Sequence, residues 1–182
     1  MIHYLLKFAM ILLMLLPFYL LLHRPWKRDR NRECALCLFV LFMLGLLILA
    51  LEGDFQNPAL MMKSAEERLS TGHAVNLIPF RSIAGFFRHF HPDAFMVNIV
   101  GNIVMFIPWG FGLPLLWKKR QSVLSAVLFS ALLPVFIETM QLFVGRSVDI
   151  DDLILNFTGG MIGAACYFSA RKKIPILEKL AR

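Results

Sequence analysis

Five apolar blocks of about twenty residues each leave this chain few ways to fold. They run over Tyr4–Leu22, Cys34–Leu51, Ala94–Leu116, Val123–Val144 and Leu153–Ala170. A helix rises ~1.5 Å per residue, so a block of this length covers the ~30 Å hydrocarbon core of a bilayer. Lipid offers the backbone no hydrogen bonds, so a continuous apolar block crosses it as a helix. Composition agrees, since 58% hydrophobic residues against 17% charged, with mean hydropathy +0.67, is too apolar for a soluble domain. The expected fold is an all-α integral membrane protein with five transmembrane helices plus outer interfacial amphipathic helices. Tyr4–Leu22 has the length of a signal peptide, but its basic cluster follows it and no small-residue cleavage site ends it, so a retained span is expected.

A net charge of +7 and a pI near 9.7 would suggest nucleic acid in a soluble protein. Here the positive charge gathers at the ends of apolar blocks, which points to membrane topology and to no nucleic-acid partner. Thirteen of the nineteen Lys and Arg residues lie in 23–33, 117–122 and the tail after 170. These three segments alternate correctly for five helices and are expected in the cytoplasm. The N-terminus, residues 52–93 and the acidic turn 145–152 are then outside. Residues 1–51 form an N-terminal hairpin, 52–93 an extracytoplasmic segment, and 94–182 a three-helix core with a short cytoplasmic tail.

This orientation gathers polar residues at one end of the bundle. Asn98 and Asn102 share a face of the third span, Glu138 and Gln141 a face of the fourth, and Asp152 and Asn156 a face of the fifth. By helical rise Asn102 and Glu138 lie roughly 10 Å below the outer helix ends, and Asn156 roughly 5 Å. Arg146, Asp149, Asp151 and Asp152 occupy the turn between the last two spans. An ionisable side chain at membrane depth is costly, so it faces a partner or a wet cavity. The plainer reading is that Asn and Gln only join neighbouring helices, and that Glu138 forms a structural pair with Arg146. That pair leaves Asp149 and Asp152 unexplained.

The outer segment carries two helix signals. Asn57 can cap a helix with Pro58 at its first position and Gly72 at its end, and Met61, Met62, Ala65 and Leu69 give it an apolar side. Over Ala84–Phe90, with Ile83 preceding, Ile83, Phe86, Phe87 and Phe90 form one face opposite Arg88 and His89. Such a helix suits the interface, where Arg81 and Arg88 would meet lipid phosphates. Gly101, Gly110, Gly112, Gly159, Gly160 and Gly163 invite close helix approach. Cys34, Cys37 and Cys166 read as small packing residues. His89, His91 and Asp93 fit an interfacial loop better than a metal site. No metal and no cofactor is expected.

The residues also carry a resemblance. Asn76-Leu77-Ile78-Pro79-Phe80, Asn98-x-x-Gly101-Asn102-x-x-x-Phe106-x-Pro108-x-Gly110, Glu138-x-x-Gln141, and Arg146-x-x-Asp149-x-x-Asp152-x-x-x-Asn156-x-x-Gly159 with Gly163 resemble the VanZ-like family of small bacterial membrane proteins over residues 70–170. The hairpin 1–51 lies outside these motifs. The resemblance implies a multi-pass protein of the bacterial cytoplasmic membrane, in a family whose founding member lowers susceptibility to the glycopeptide teicoplanin. Three functions stand open. In the first, Asn98, Asn102, Glu138, Gln141, Arg146, Asp149, Asp152 and Asn156, with Arg81 and Arg88, form an outer-leaflet pocket. Its ligand would be a membrane lipid, a lipid-linked cell-wall precursor or a lipoglycopeptide. In the second, Glu138, Asp149 and Asp152 are catalytic groups acting on a lipid head group. In the third, the chain is a structural subunit. No Ser/His/Asp order, H-E-x-x-H or phosphate loop is present, which weighs binding above catalysis.

Overall fold

The computed structural model describes residues 29–51, 57–72 and 74–181. The expected span Tyr4–Leu22 lies outside them. Four of the described helices are long and apolar enough to cross a membrane. They are α1 (Arg30–Ala50), α4 (Pro92–Leu116), α5 (Val123–Phe143) and α6 (Ile150–Ala170). Each long helix starts where its sequence permits. Asp29 caps α1 by accepting the Asn31 N–H at 3.0 Å, and Ser122 caps α5 through the Ser125 N–H at 3.1 Å. Asp149 caps α6 through the Asp151 N–H at 2.9 Å, so this helix begins at Ile150, three residues before the apolar block. A cap side chain satisfies a backbone donor that the first turn leaves unpaired.

The third apolar block is not one regular helix. Within α4, Met96–Gly101 forms a π-helical turn between α-helical segments Pro92–Phe95 and Asn102–Leu116. Such turns are rare and often mark functional positions. Pro108 and Pro114 lie inside α4 and Pro134 inside α5. Side chains serve carbonyls near these breaks: the Trp109 indole donates to the Phe129 carbonyl at 2.8 Å, and the Gln121 amide donates to that of Pro114 at 3.0 Å.

Glycine sets the bundle's centre. A methyl group at Gly159 would sit 2.1 Å from the Ile103 carbonyl oxygen, one at Gly163 2.0 Å from that of Ile107, and one at Gly110 1.8 Å from that of Gly160. Helices α4 and α6 therefore meet backbone to backbone, which any side chain would prevent. Gly160 also faces Ser130 of α5. On the other side of α4, the Phe39 ring of α1 fills the space above Gly112 and stacks 5.9 Å from Trp109. Leu46, Phe106, Leu133 and Ile137 close the core among α1, α4 and α5.

The remaining elements decorate the two ends. At the end carrying the acidic turn lie α2 (Pro58–Thr71), capped by Asn57 and closed by Gly72 at φ +68°, and α3 (Arg81–Arg88). There too β1 (Val75–Asn76) pairs in parallel with β2 (Val148–Asp149), a short ladder that an all-α reading lacks. The buried face of α2 is Ala65 and Arg68, while Met62 and Leu69 are exposed. The apolar side expected for this helix is thus only partly turned inward. At the basic end, Lys118–Arg120 forms a 3-10 turn and α7 (Ile176–Leu180) folds back onto α1 and α4.

Candidate functional site

The acidic end is organised in two layers. The upper layer is a clasp. Asp151, 1% exposed, accepts the backbone N–H groups of Phe80, Ser82 and Ile83 at 2.5, 2.7 and 3.0 Å. These are donors at the start of α3 that no side chain of α3 itself caps. Asp149 accepts from the Asn76 amide at 2.9 Å and from the Ser82 hydroxyl at 2.5 Å. The Asn76-Leu77-Ile78-Pro79-Phe80 run is thereby bound to the start of α6, with Phe80 held at φ +65°. The short ladder of Val75 and Asn76 on Val148 and Asp149 completes the attachment.

The lower layer lies among the spans. Asn102 of α4 donates to Asp152 of α6 at 2.7 Å. Glu138 of α5, 5% exposed, accepts the Asp149 N–H at 3.1 Å and so joins the two layers. Asn156 stands one turn below Asp152 on the same face of α6. It is 4% exposed, and its Oδ1 finds no donor among the described residues. Buried acceptors without a donor cost ~1–3 kcal/mol each, so they are rare in settled packing.

The other residues expected at the site are placed around it. Gln141 reaches back to α1, donating to the Ala50 carbonyl at 2.9 Å, while its Oε1 finds no donor among the described residues. Asn98, in the π-helical turn, donates to the Ala94 carbonyl at 2.8 Å, a contact within its own helix. The exposed Arg146 points its guanidinium at the Leu49 carbonyl, 3.4 Å away, and its own carbonyl accepts from buried Arg68. Arg81 and Arg88 are exposed on α3, beside the clasp. The structure therefore brings together two hydrogen-bonded pairs, Asn102 with Asp152 and Glu138 with the Asp149 backbone, with Asn156 one turn from Asp152. It sets Asn98, Gln141, Arg146, Arg81 and Arg88 at the margin. Among the described residues no three His, Cys, Asp or Glu side chains are placed to share a metal ion.

Sequence reasoning missed Asn76, Ser82 and Arg68, and it left Asp151 on the turn without a role. Asn76 stands in a motif and Asp151 two residues from another acid, so both were visible. Their partners, Asp149 for Asn76 and the start of α3 for Asp151, lie roughly seventy residues away and had no local signal.

A search with family profiles matches residues 36–171 to VanZ/LLP1. The chain belongs to the VanZ/LLP1 family. The match takes in α1 from its second turn as well as residues 70–170, so the first described span is part of the shared region. It covers both layers of the acidic end and the glycine crossing of α4 and α6. Searches of curated proteins and of solved structures find no match.

Proposed function

We propose that this VanZ/LLP1 protein binds the polar head of an amphiphilic cell-envelope molecule at the acidic end of α4, α5 and α6. The observation that carries this reading is the Oδ1 of Asn156, buried one turn from Asp152 on α6 and without a donor among the described residues. The unspent groups there are acceptors, and a head group bearing hydroxyl or amide donors would satisfy them. The lipid tail would stay in the surrounding bilayer. A lipid-linked cell-wall precursor and a lipoglycopeptide both have this build, and lowered teicoplanin susceptibility is the phenotype such binding would produce. The site would face outward in the cytoplasmic membrane, on the side away from the basic loops.

The clasp favours a second reading for part of the cluster. Asp149 and Asp151 have their carboxylates committed to Asn76, Ser82 and backbone donors, which suits a framework role. Glu138, Asp152 and Asn156 remain as the groups that meet the ligand. Acid–base chemistry on a lipid head group would then fall to Glu138 and Asp152.

The test uses Asn156→Ala and Glu138→Gln. Glu138→Gln keeps an oxygen for the Asp149 N–H, so melting in detergent should be near normal. Native mass spectrometry of the purified protein should show loss of bound envelope lipid, and cells should lose any glycopeptide phenotype. A fall in phenotype only in proportion to protein level would reduce the cluster to helix packing. Conversion of the bound lipid, lost in Glu138→Gln, would promote the enzyme.

A further inference from the structure

A second site lies at the opposite end of the bundle. Between α1 and α4 runs a groove of about 440 Å³, walled by Ala35, Phe39 and Phe42 on one side and Ile107, Phe111 and Leu115 on the other. We propose that it holds an anionic glycerophospholipid, with an acyl chain in the groove and the phosphate at its basic mouth.

Both walls end at a cation. On α1, Arg32 precedes Ala35 by three residues and Phe39 by seven, which puts it within roughly 20° of the Phe39 stripe. On α4, Leu115 is followed three residues later by exposed Lys118 and then Lys119. Arg32 is 9% exposed, and its Nε finds no acceptor among the described residues. Its NH1 stands 3.4 Å from Glu33 Oε1, a contact that leaves Nε over. A guanidinium edge matches phosphate oxygens in pairs, and a buried N–H without an acceptor is what such an oxygen would complete. Basic pockets between spans are suited to anionic lipid heads. The groove itself offers no polar group to a head, only aromatic and aliphatic walls. Charge at the mouth and apolar depth behind it together describe one phospholipid. This site is independent of the acidic end.

The test uses the full chain in phosphatidylcholine vesicles containing phosphatidylglycerol with a diazirine on one acyl chain. Photolysis should label peptides covering 35–42 and 107–115. Unlabelled phosphatidylglycerol should compete about fivefold better than phosphatidylcholine. Ala35→Phe should abolish this labelling, and Arg32→Gln and Lys118→Gln should each erase much of the preference. If Arg32→Gln fails to fold, exposed Lys118→Gln still decides. Equal competition by phosphatidylcholine would overturn the proposal, as would labelling that survives Ala35→Phe. A high-yield disulfide between Leu12→Cys and Leu38→Cys, in a background lacking Cys34, Cys37 and Cys166, would also overturn it. That result would put the chain's own first apolar block in the groove.

Discussion

The Asp151 carboxylate accepts the Ser82 backbone N–H at 2.7 Å across 69 residues of sequence. With Phe80 and Ile83 it takes three donors at the start of α3, the service an N-cap residue performs locally, here supplied by another helix. Asp151→Ala should expose those donors at a cost of ~1–3 kcal/mol. The expected result is a lower melting temperature in detergent and faster amide exchange at 80–83, with α5 unaffected. Asp151→Asn keeps one acceptor oxygen and should lose less. Unchanged exchange at 80–83 would remove Asp151 from its role as clasp.

The α4–α6 crossing makes a contrast between two glycines. Gly163→Ala would set a methyl 2.0 Å from the Ile107 carbonyl oxygen, so the helices must separate. Overpacking of this kind costs ~1–3 kcal/mol or more. Gly85, inside α3, has nothing within 4 Å of a Cβ, and Gly85→Ala should be neutral or stabilising by up to ~1 kcal/mol. Thermal melts of both variants in one detergent check the pair. Equal melts would mean that the bundle does not depend on this close approach.

Gln141 tests how much a polar contact between spans contributes. Its amide reaches the Ala50 carbonyl, but its buried oxygen goes unmatched among the described residues. Removing both groups at once should nearly cancel, so Gln141→Leu should shift stability by less than ~1 kcal/mol. A large loss would show that the unmatched oxygen has a partner in the membrane.

Orientation follows from charge and can be checked directly. In the background without native cysteines, Ser147→Cys should react with a membrane-impermeant maleimide from outside intact cells. Lys119→Cys should react only after permeabilisation. The reverse pattern would place the acidic end in the cytoplasm, away from envelope molecules.

The four described spans could be read in the sequence because lipid imposes a single requirement on them: about twenty apolar residues whose backbone bonds stay within the helix. Asn57, Pro58 and Gly72 bounded α2 for similar local reasons, and the glycines of α6 announced a close crossing. The polar residues at one end were legible too, because few side chains at that depth have an innocent explanation. What tertiary structure decided was which of them meet. Asn102 and Asn98 look equivalent four residues apart, yet Asn102 reaches Asp152 while Asn98 bonds within its own helix. Asp149, Asp151 and Asp152 are near neighbours in one acidic run. A helix turns ~100° per residue, so two of them hold the Asn76–Ile83 segment and the third faces α4. The π-helical turn, the short ladder and the inward face of Arg68 likewise depend on contacts between distant segments, which the order of residues along the chain does not record.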